Sequence, residues 1–244
     1  MGWYKKTFGH DYLNIYSNRN ESEAKKIIKF AVQVLNLQPG QKVLDLACGY
    51  GRNSVECAKY KLDVLGLDLS PELLSLAKRK GMENGHKIPL IRGDMRDIPF
   101  CETFDAVLSL FTSFGYFESD AENEKVIRSV AWALKPGGLF LFDYLNIIQA
   151  LPNMTIRDSK VKGNIKIVQE RFYNKESNRI EKKITIHEDG EIREYVESVR
   201  AYYLIELLHF FENAGLSCTA VFGDYDIHPF TQHSPRLILI GKKV

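Results

Sequence analysis

From residue 41 to residue 144, short apolar runs alternate with segments whose apolar positions recur every three or four residues. Short apolar runs bounded by turn residues read as buried strands and the spaced segments as helices, so this stretch predicts βαβ units feeding a parallel sheet. Residues 43–46 predict a first strand, 53–60 a helix and 64–67 a second strand. Ser70-Pro71-Glu72 then offers a helix N-cap, a proline at the first helical position and an acid in the first turn, starting a helix that runs to about Met82. Residues 89–92 predict the third strand and 104–110 the fourth. An uncharged loop leads to a helix carrying Val126, Ile127, Val130, Ala131 and Leu134 at helical spacing. Lys135-Pro136-Gly137-Gly138 stops that helix, and 139–144 predict a fifth strand.

Between about 163 and 200 the period changes to two. Ile180, Lys182, Ile184 and Ile186 fall on one face, and Glu181, Lys183, Thr185 and His187 on the other. Three antiparallel strands are predicted, joined by a loop at 174–178 and by a tight Asp189-Gly190 turn. A helix over 203–213 follows, then strands over 216–222 and 235–242.

The 244 residues suit one α/β domain with a sizeable insertion. A net charge of +2 is too balanced to mark the whole surface for nucleic acid or membrane, and no apolar run approaches the roughly 20 residues of a membrane span. Lys5, Lys6 and Asp11 interrupt the N-terminus, unlike a secretory signal, so a cytoplasmic protein is expected. Cys48, Cys57, Cys101 and Cys218 form no C-x-x-C pair, and neither a metal site nor a disulfide framework is expected.

The candidate chemistry begins at Asp45-Leu46-Ala47-Cys48-Gly49-Tyr50-Gly51, where a strand ends in a glycine-containing turn that opens a helix. Backbone can approach a ligand closely there, and helix N–H groups point at it. Asp68 ends the next strand nineteen residues after Gly49, at the place where a carboxylate can hold both hydroxyls of a ribose. A nucleoside-containing cofactor is expected. A dinucleotide would bring a pyrophosphate close to Asp45, at a cost of roughly a few kcal/mol at intermediate dielectric. S-adenosylmethionine instead brings a sulfonium and an ammonium, which an acidic strand end attracts. Ser54, where a dinucleotide fingerprint has its third glycine, points the same way.

Taken together, 45–51, Gly66-Leu67-Asp68, Gly93-Asp94-Met95, Phe104-Asp105-Ala106-Val107 and Leu134-Lys135-Pro136-Gly137-Gly138 resemble the successive motifs of class I S-adenosylmethionine-dependent methyltransferases. The resemblance implies an α/β fold with a doubly wound, seven-stranded, mostly parallel sheet of order 3-2-1-4-5-7-6. The alternating segment becomes an antiparallel sheet inserted after strand five. It implies that Gly49 and Gly51 line the methionine part of the cofactor, with Ala47 where the family has its first glycine. Asp45 would anchor the ammonium, Asp68 with Leu69 the ribose, and Asp94 with Met95 the adenine. Residues 8–16 resemble the leading lid of small-molecule methyltransferases, placing Tyr12 or Tyr16 on the cofactor. The expected division is a helical lid segment over 1–38, a cofactor-binding domain over 39–148 and 201–244, and a β cap over 149–200.

The acceptor should lie beyond the fourth strand, beside Phe111, Phe114 and Tyr116, since ligands of open α/β sheets bind past the carboxyl ends of the strands. That loop lacks the Asn/Asp-Pro-Pro-Tyr signature of base-amine methyltransferases, so DNA is not an expected partner. Transfer to N or O of a small molecule is the leading expectation, in a monomer or homodimer, with S-adenosylhomocysteine as product. An RNA or protein methyltransferase and a non-catalytic S-adenosylmethionine-binding protein are the rivals. Should a base be needed, Tyr116, His228 and His233 are the candidates by neighbourhood, and Arg236 could help form the acceptor pocket.

Overall fold

Val43 and Leu44 are neighbours in the first strand, and both are fully buried, on opposite faces. Such a strand needs helices on both sides of its sheet, and the chain supplies them. The computed structural model describes residues 2–9, 11–16 and 20–244. Two short helices, α1 (Tyr4–Thr7) and α2 (Tyr12–Ile15), precede α3 (Glu21–Val34). The βαβ series follows as β1 (Lys42–Leu46), α4 (Arg52–Lys59), β2 (Asp63–Asp68), α5 (Pro71–Glu83), β3 (Leu90–Arg92), β4 (Phe104–Ser109), α6 (Asp120–Ala133) and β5 (Leu134–Leu145). A turn of helix, α7 (Ile147–Ala150), leads to β6 (Arg157–Lys162), β7 (Ile165–Asn174), β8 (Arg179–Glu188) and β9 (Glu191–Arg200). The chain closes with α8 (Leu204–Asn213), β10 (Leu216–Phe222) and β11 (Arg236–Lys243).

The central sheet runs β3-β2-β1-β4-β5-β11-β10. Its first five strands are parallel, and β11 enters antiparallel to β5 with β10 antiparallel beyond it. This is the expected order 3-2-1-4-5-7-6. One face packs under α6 and α8, where Val126, Ile127, Val130, Leu207 and Phe211 meet Leu44, Val107, Phe140 and Phe142. The other packs on α3, where Ile27, Ile28, Phe30 and Ala31 meet Val43, Ala106, Leu108 and Ile240. Helix α3 is therefore a core helix of the main layer, and only the two turns ahead of it lie over the site.

The inserted sheet has four strands among the described residues, in the order β6-β7-β8-β9, where three were expected. The missed strand, β6, reads Arg-Asp-Ser-Lys-Val-Lys and lies at the sheet edge with both faces largely exposed, so no apolar alternation marked it. Its neighbours turn Ile167, Ile184 and Ile186 inward onto Ile15. Arg179 ties the sheet to the loop after β4. It is 9% exposed and donates to the main-chain oxygens of Phe117 (2.9 Å), Gly115 (3.0 Å) and Ser198 (2.7 Å).

Candidate functional site

Strand order reverses between β1 and β4, and a crevice opens beyond the carboxyl ends of the strands there. It contains a cavity of about 320 Å³, within the range of small-ligand sites. Asp68, Leu69, Asp94, Met95, Ala47 and Gly49 line it together with an aromatic group, Tyr4, Phe8, Tyr116 and Phe117. Arg96 joins the two sets, pairing with Asp94 at 2.6 Å and lying 4.2 Å over the Phe117 ring. A smaller compartment of about 40 Å³ shares Tyr12, Ala47, Gly49 and Ser113 with the cavity and extends to Asp45, Arg52, Asn53 and Phe111.

Asp68 is 8% exposed, and each of its carboxylate oxygens accepts a backbone N–H, from Gly49 at 2.8 Å and from Ser70 at 2.9 Å. Burial raises its pKa, while those hydrogen bonds oppose the rise. A carboxylate oxygen has two lone pairs, so the group can still accept two hydroxyls from the cavity side. Asp45, 1% exposed, takes the Ser54 hydroxyl at 2.5 Å. Burial pushes its pKa up to about 7 against that bond, and the nearby Asp68 adds to the rise. A cation brought into the smaller compartment would reverse it. Asp94 is held by Arg96, whose Nη2 lies 2.6 Å away.

The two glycines of the turn divide their work. Gly49, at φ +56°, would carry a Cβ that meets nothing nearer than the Tyr12 hydroxyl at 3.9 Å, so a side chain there would stand in the cavity. Gly51, expected to line the methionine part, lines neither the cavity nor the compartment. Its φ is +78°, and an added Cβ would come within 2.8 Å of the Cβ of Ala77, so its bareness lets α5 pack against the turn. Ala47 lines the site at φ +57°, a left-handed conformation that explains the family's preference for glycine at that place.

Tyr12 lines the cavity and the compartment. Tyr16 is directed elsewhere: its hydroxyl accepts from Lys182 Nζ at 2.8 Å and bonds Glu197 of the inserted sheet. His10, in the same leading segment, lies outside the described residues. Tyr116 lines the cavity within the aromatic group, its ring 5.0 Å from that of Trp3. Phe111 lines the smaller compartment beneath the Arg52 guanidinium, 4.1 Å from the ring centroid. Phe114, expected beside the acceptor, is instead a core residue, 1% exposed and edge-on to Phe142, and lines neither the cavity nor the compartment. Arg236 lies outside the cavity lining, where it pairs with the buried Asp143 at 2.7 Å. His228, bound to Asp224 at 2.8 Å, and His233, beside Gln232, sit exposed on the loop before β11 and line no part of the cavity.

Sequence reasoning missed several lining residues, among them Tyr4, Phe8, Ser113 and Asn53. It also missed Asp143, which takes the Phe111 N–H at 2.8 Å and the Tyr225 hydroxyl at 2.7 Å, holding Phe111 and Thr112 at φ +57° and +61°. A carboxylate closing the apolar run 139–142 was the available signal.

Residues 43–138 match the family model described as a methyltransferase domain. They are a class I S-adenosylmethionine-dependent methyltransferase domain. The domain resembles a putative methyltransferase, YqeM, of Bacillus subtilis at 36% identity, covering 48% of this chain and 49% of that protein. It also resembles dTDP-3-amino-3,4,6-trideoxy-alpha-D-glucopyranose N,N-dimethyltransferase of Streptomyces venezuelae at 32% identity, over 54% of each chain. The chain thus spans about half the length of the curated relatives it matches. A crystal structure of an S-adenosylmethionine-dependent methyltransferase from Clostridium acetobutylicum shares the fold with a TM-score of 0.82 at 21% identity, covering 96% of this chain and 98% of that one. In the methyltransferase domain, no described helix is long and apolar enough to cross a membrane.

Proposed function

We propose that this chain transfers a methyl group from S-adenosylmethionine to a nitrogen or oxygen of a small-molecule acceptor. The observation that carries the reading is Asp68: a buried carboxylate on the cavity wall, fixed by two backbone N–H groups and with lone pairs left for a ribose. S-adenosylmethionine, when bound, supplies an electrophilic methyl on a sulfonium, whose transfer is an in-line displacement. The residues of this chain would then act by holding and aligning. Asp68 and Leu69 hold the ribose, Asp94 and Met95 the adenine, and Asp45 the amino-acid end. Tyr4, Phe8, Tyr116 and Phe117 keep water out of the acceptor site.

The lining favours nitrogen over oxygen. The described cavity lining holds no His, and its hydroxyls are phenols and serines such as Tyr4, Tyr116 and Ser113. Its carboxylates are already engaged, Asp68 by the Gly49 and Ser70 N–H groups, Glu72 by the Ser70 hydroxyl and Asp94 by Arg96. An uncharged amine attacks with its own lone pair and sheds a proton afterwards, whereas an alcohol needs a base first. The Streptomyces relative is named for methylation of an aminosugar, which fits an amine.

A thermal-shift panel with S-adenosylmethionine, S-adenosylhomocysteine, NAD and ATP tests the cofactor. A ligand at 100 times its Kd stabilises by about 2.7 kcal/mol, a rise of several degrees for a chain of this size. Shifts by the two sulfur compounds alone are expected, and a shift by NAD alone would overturn the reading. Formation of S-adenosylhomocysteine across a panel of amines and alcohols then identifies the acceptor.

A further inference from the structure

Asn53 is the second residue of α4, 6% exposed, and its Oδ1 is buried without a hydrogen-bond partner. Buried acceptors in folded proteins are nearly always paired, and one left open at the wall of a ligand compartment calls for a partner from the ligand. The compartment it lines is the small one that continues the cavity past Gly49. Two charged groups share that wall with it, the Asp45 carboxylate and the Arg52 guanidinium. Opposite charges close together suit a zwitterion. Arg52 is already engaged by Glu23 at 2.6 Å, and Asp45 by Ser54 at 2.5 Å, whereas Asn53 Oδ1 is engaged by nothing. An amide oxygen adds an acceptor for an ammonium without adding a second negative charge beside Asp45.

On the reading that the cavity takes S-adenosylmethionine, we propose that Asn53 is a cofactor-binding residue whose Oδ1 accepts a hydrogen bond from the ammonium of the methionine moiety. Asn53 therefore selects ligands that carry the amino-acid end. Adenosine compounds lacking it fill the main cavity without satisfying this atom.

The test compares two ligands that differ in that end alone. Calorimetric Kd values for S-adenosylhomocysteine and for 5′-methylthioadenosine, which keeps adenine, ribose and sulfur but has no amino acid, are measured on the natural chain, Asn53→Leu and Asn53→Ala. A hydrogen bond to a charged group corresponds to a loss of about tenfold or more when removed. Both variants are expected to lose that factor for S-adenosylhomocysteine and to bind 5′-methylthioadenosine within about twofold of the natural chain. Leucine has nearly the size of asparagine and removes the unpaired atom, so the ligand-free Asn53→Leu chain should melt no lower than the natural one. An equal loss for both ligands, or variants that fail to fold, would make Asn53 a structural residue and overturn the assignment. So would unchanged affinity for S-adenosylhomocysteine. Failure of the natural chain to bind either ligand would instead refute the cofactor reading on which the proposal rests.

Discussion

The Ser54 hydroxyl donates to the Asp45 carboxylate at 2.5 Å, across the turn between β1 and α4, and both residues are almost wholly buried. Asp45 ordinarily titrates near 3.8 but here does so at about 7. Between those values the folded chain keeps a proton that the unfolded chain has released. The stability this group contributes is therefore full below about pH 4 and is lost as pH rises through 7. Denaturant unfolding at pH 5 and pH 8 should show the natural chain losing stability relative to Asp45→Asn. Affinity for S-adenosylmethionine should move the other way, rising with pH to a plateau above 7, because the ammonium favours the ionised carboxylate. Calorimetry in buffers of different ionisation enthalpy should detect a proton released on binding at pH 6 and none at pH 8.5.

Asp68, the residue proposed to hold the ribose, also supports the fold, so Asp68→Ala will not leave the fold untouched, contrary to the simplest expectation for a binding residue. It would strip the Gly49 and Ser70 N–H groups of their acceptor, at about 1–3 kcal/mol for each. Asp68→Asn keeps one acceptor and is the better probe. It should fold with a modest drop in Tm and lose at least about tenfold in affinity for S-adenosylhomocysteine by calorimetry.

Gly49→Ala and Gly51→Ala should fail in different ways. At Gly51 the left-handed backbone and the 2.8 Å approach to Ala77 together predict a loss of about 2–4 kcal/mol in chemical denaturation. At Gly49 the backbone strain alone costs about 1 kcal/mol, but the methyl stands in the cavity, so the chain should fold and bind cofactor poorly. Equal losses of stability at the two positions would contradict this division.

Replacing Arg179 with lysine withdraws the fork of donors that joins β8 to the loop after β4. Carbonyls of Gly115, Phe117 and Ser198 would lose buried partners, for about 2–4 kcal/mol in all. Hydrogen exchange should quicken at the amides around 115–117 more than in the central sheet.

The parallel core was legible because strands buried on both faces are short apolar runs, and because Asp45, Asp68 and Asp94 interrupt or end those runs where a ligand can reach them. The packing role of Gly51 was not legible because a motif records that a side chain is absent but not whether a ligand or a helix fills the space. Within the loop after β4, Tyr116 stood out by its hydroxyl, but nothing local placed Phe114 in the core: the loop turns through two left-handed residues pinned by Asp143, thirty-two positions beyond Phe111. Arg179 stands in an alternating strand whose charges read as solvated, and nothing local says that this one folds onto a distant loop. Edge strand β6 left no signal because its side chains cover no core.

The roof of the cavity is fastened by partners far along the chain. Asp11 takes Arg193 at 2.8 Å and the Tyr195 hydroxyl at 2.8 Å, Thr7 donates to the Val196 carbonyl at 3.0 Å, and Lys160 donates to the carbonyl of Ile15 at 2.5 Å. Contacts separated by some 180 residues close late, because the intervening chain must be ordered before they can form. During synthesis, the leading segment can meet Tyr116 and Phe117 of the loop after β4 and Lys160 of β6 earlier, but its Thr7 and Asp11 anchors wait for β9. The cavity gains its ceiling only after the walls are standing.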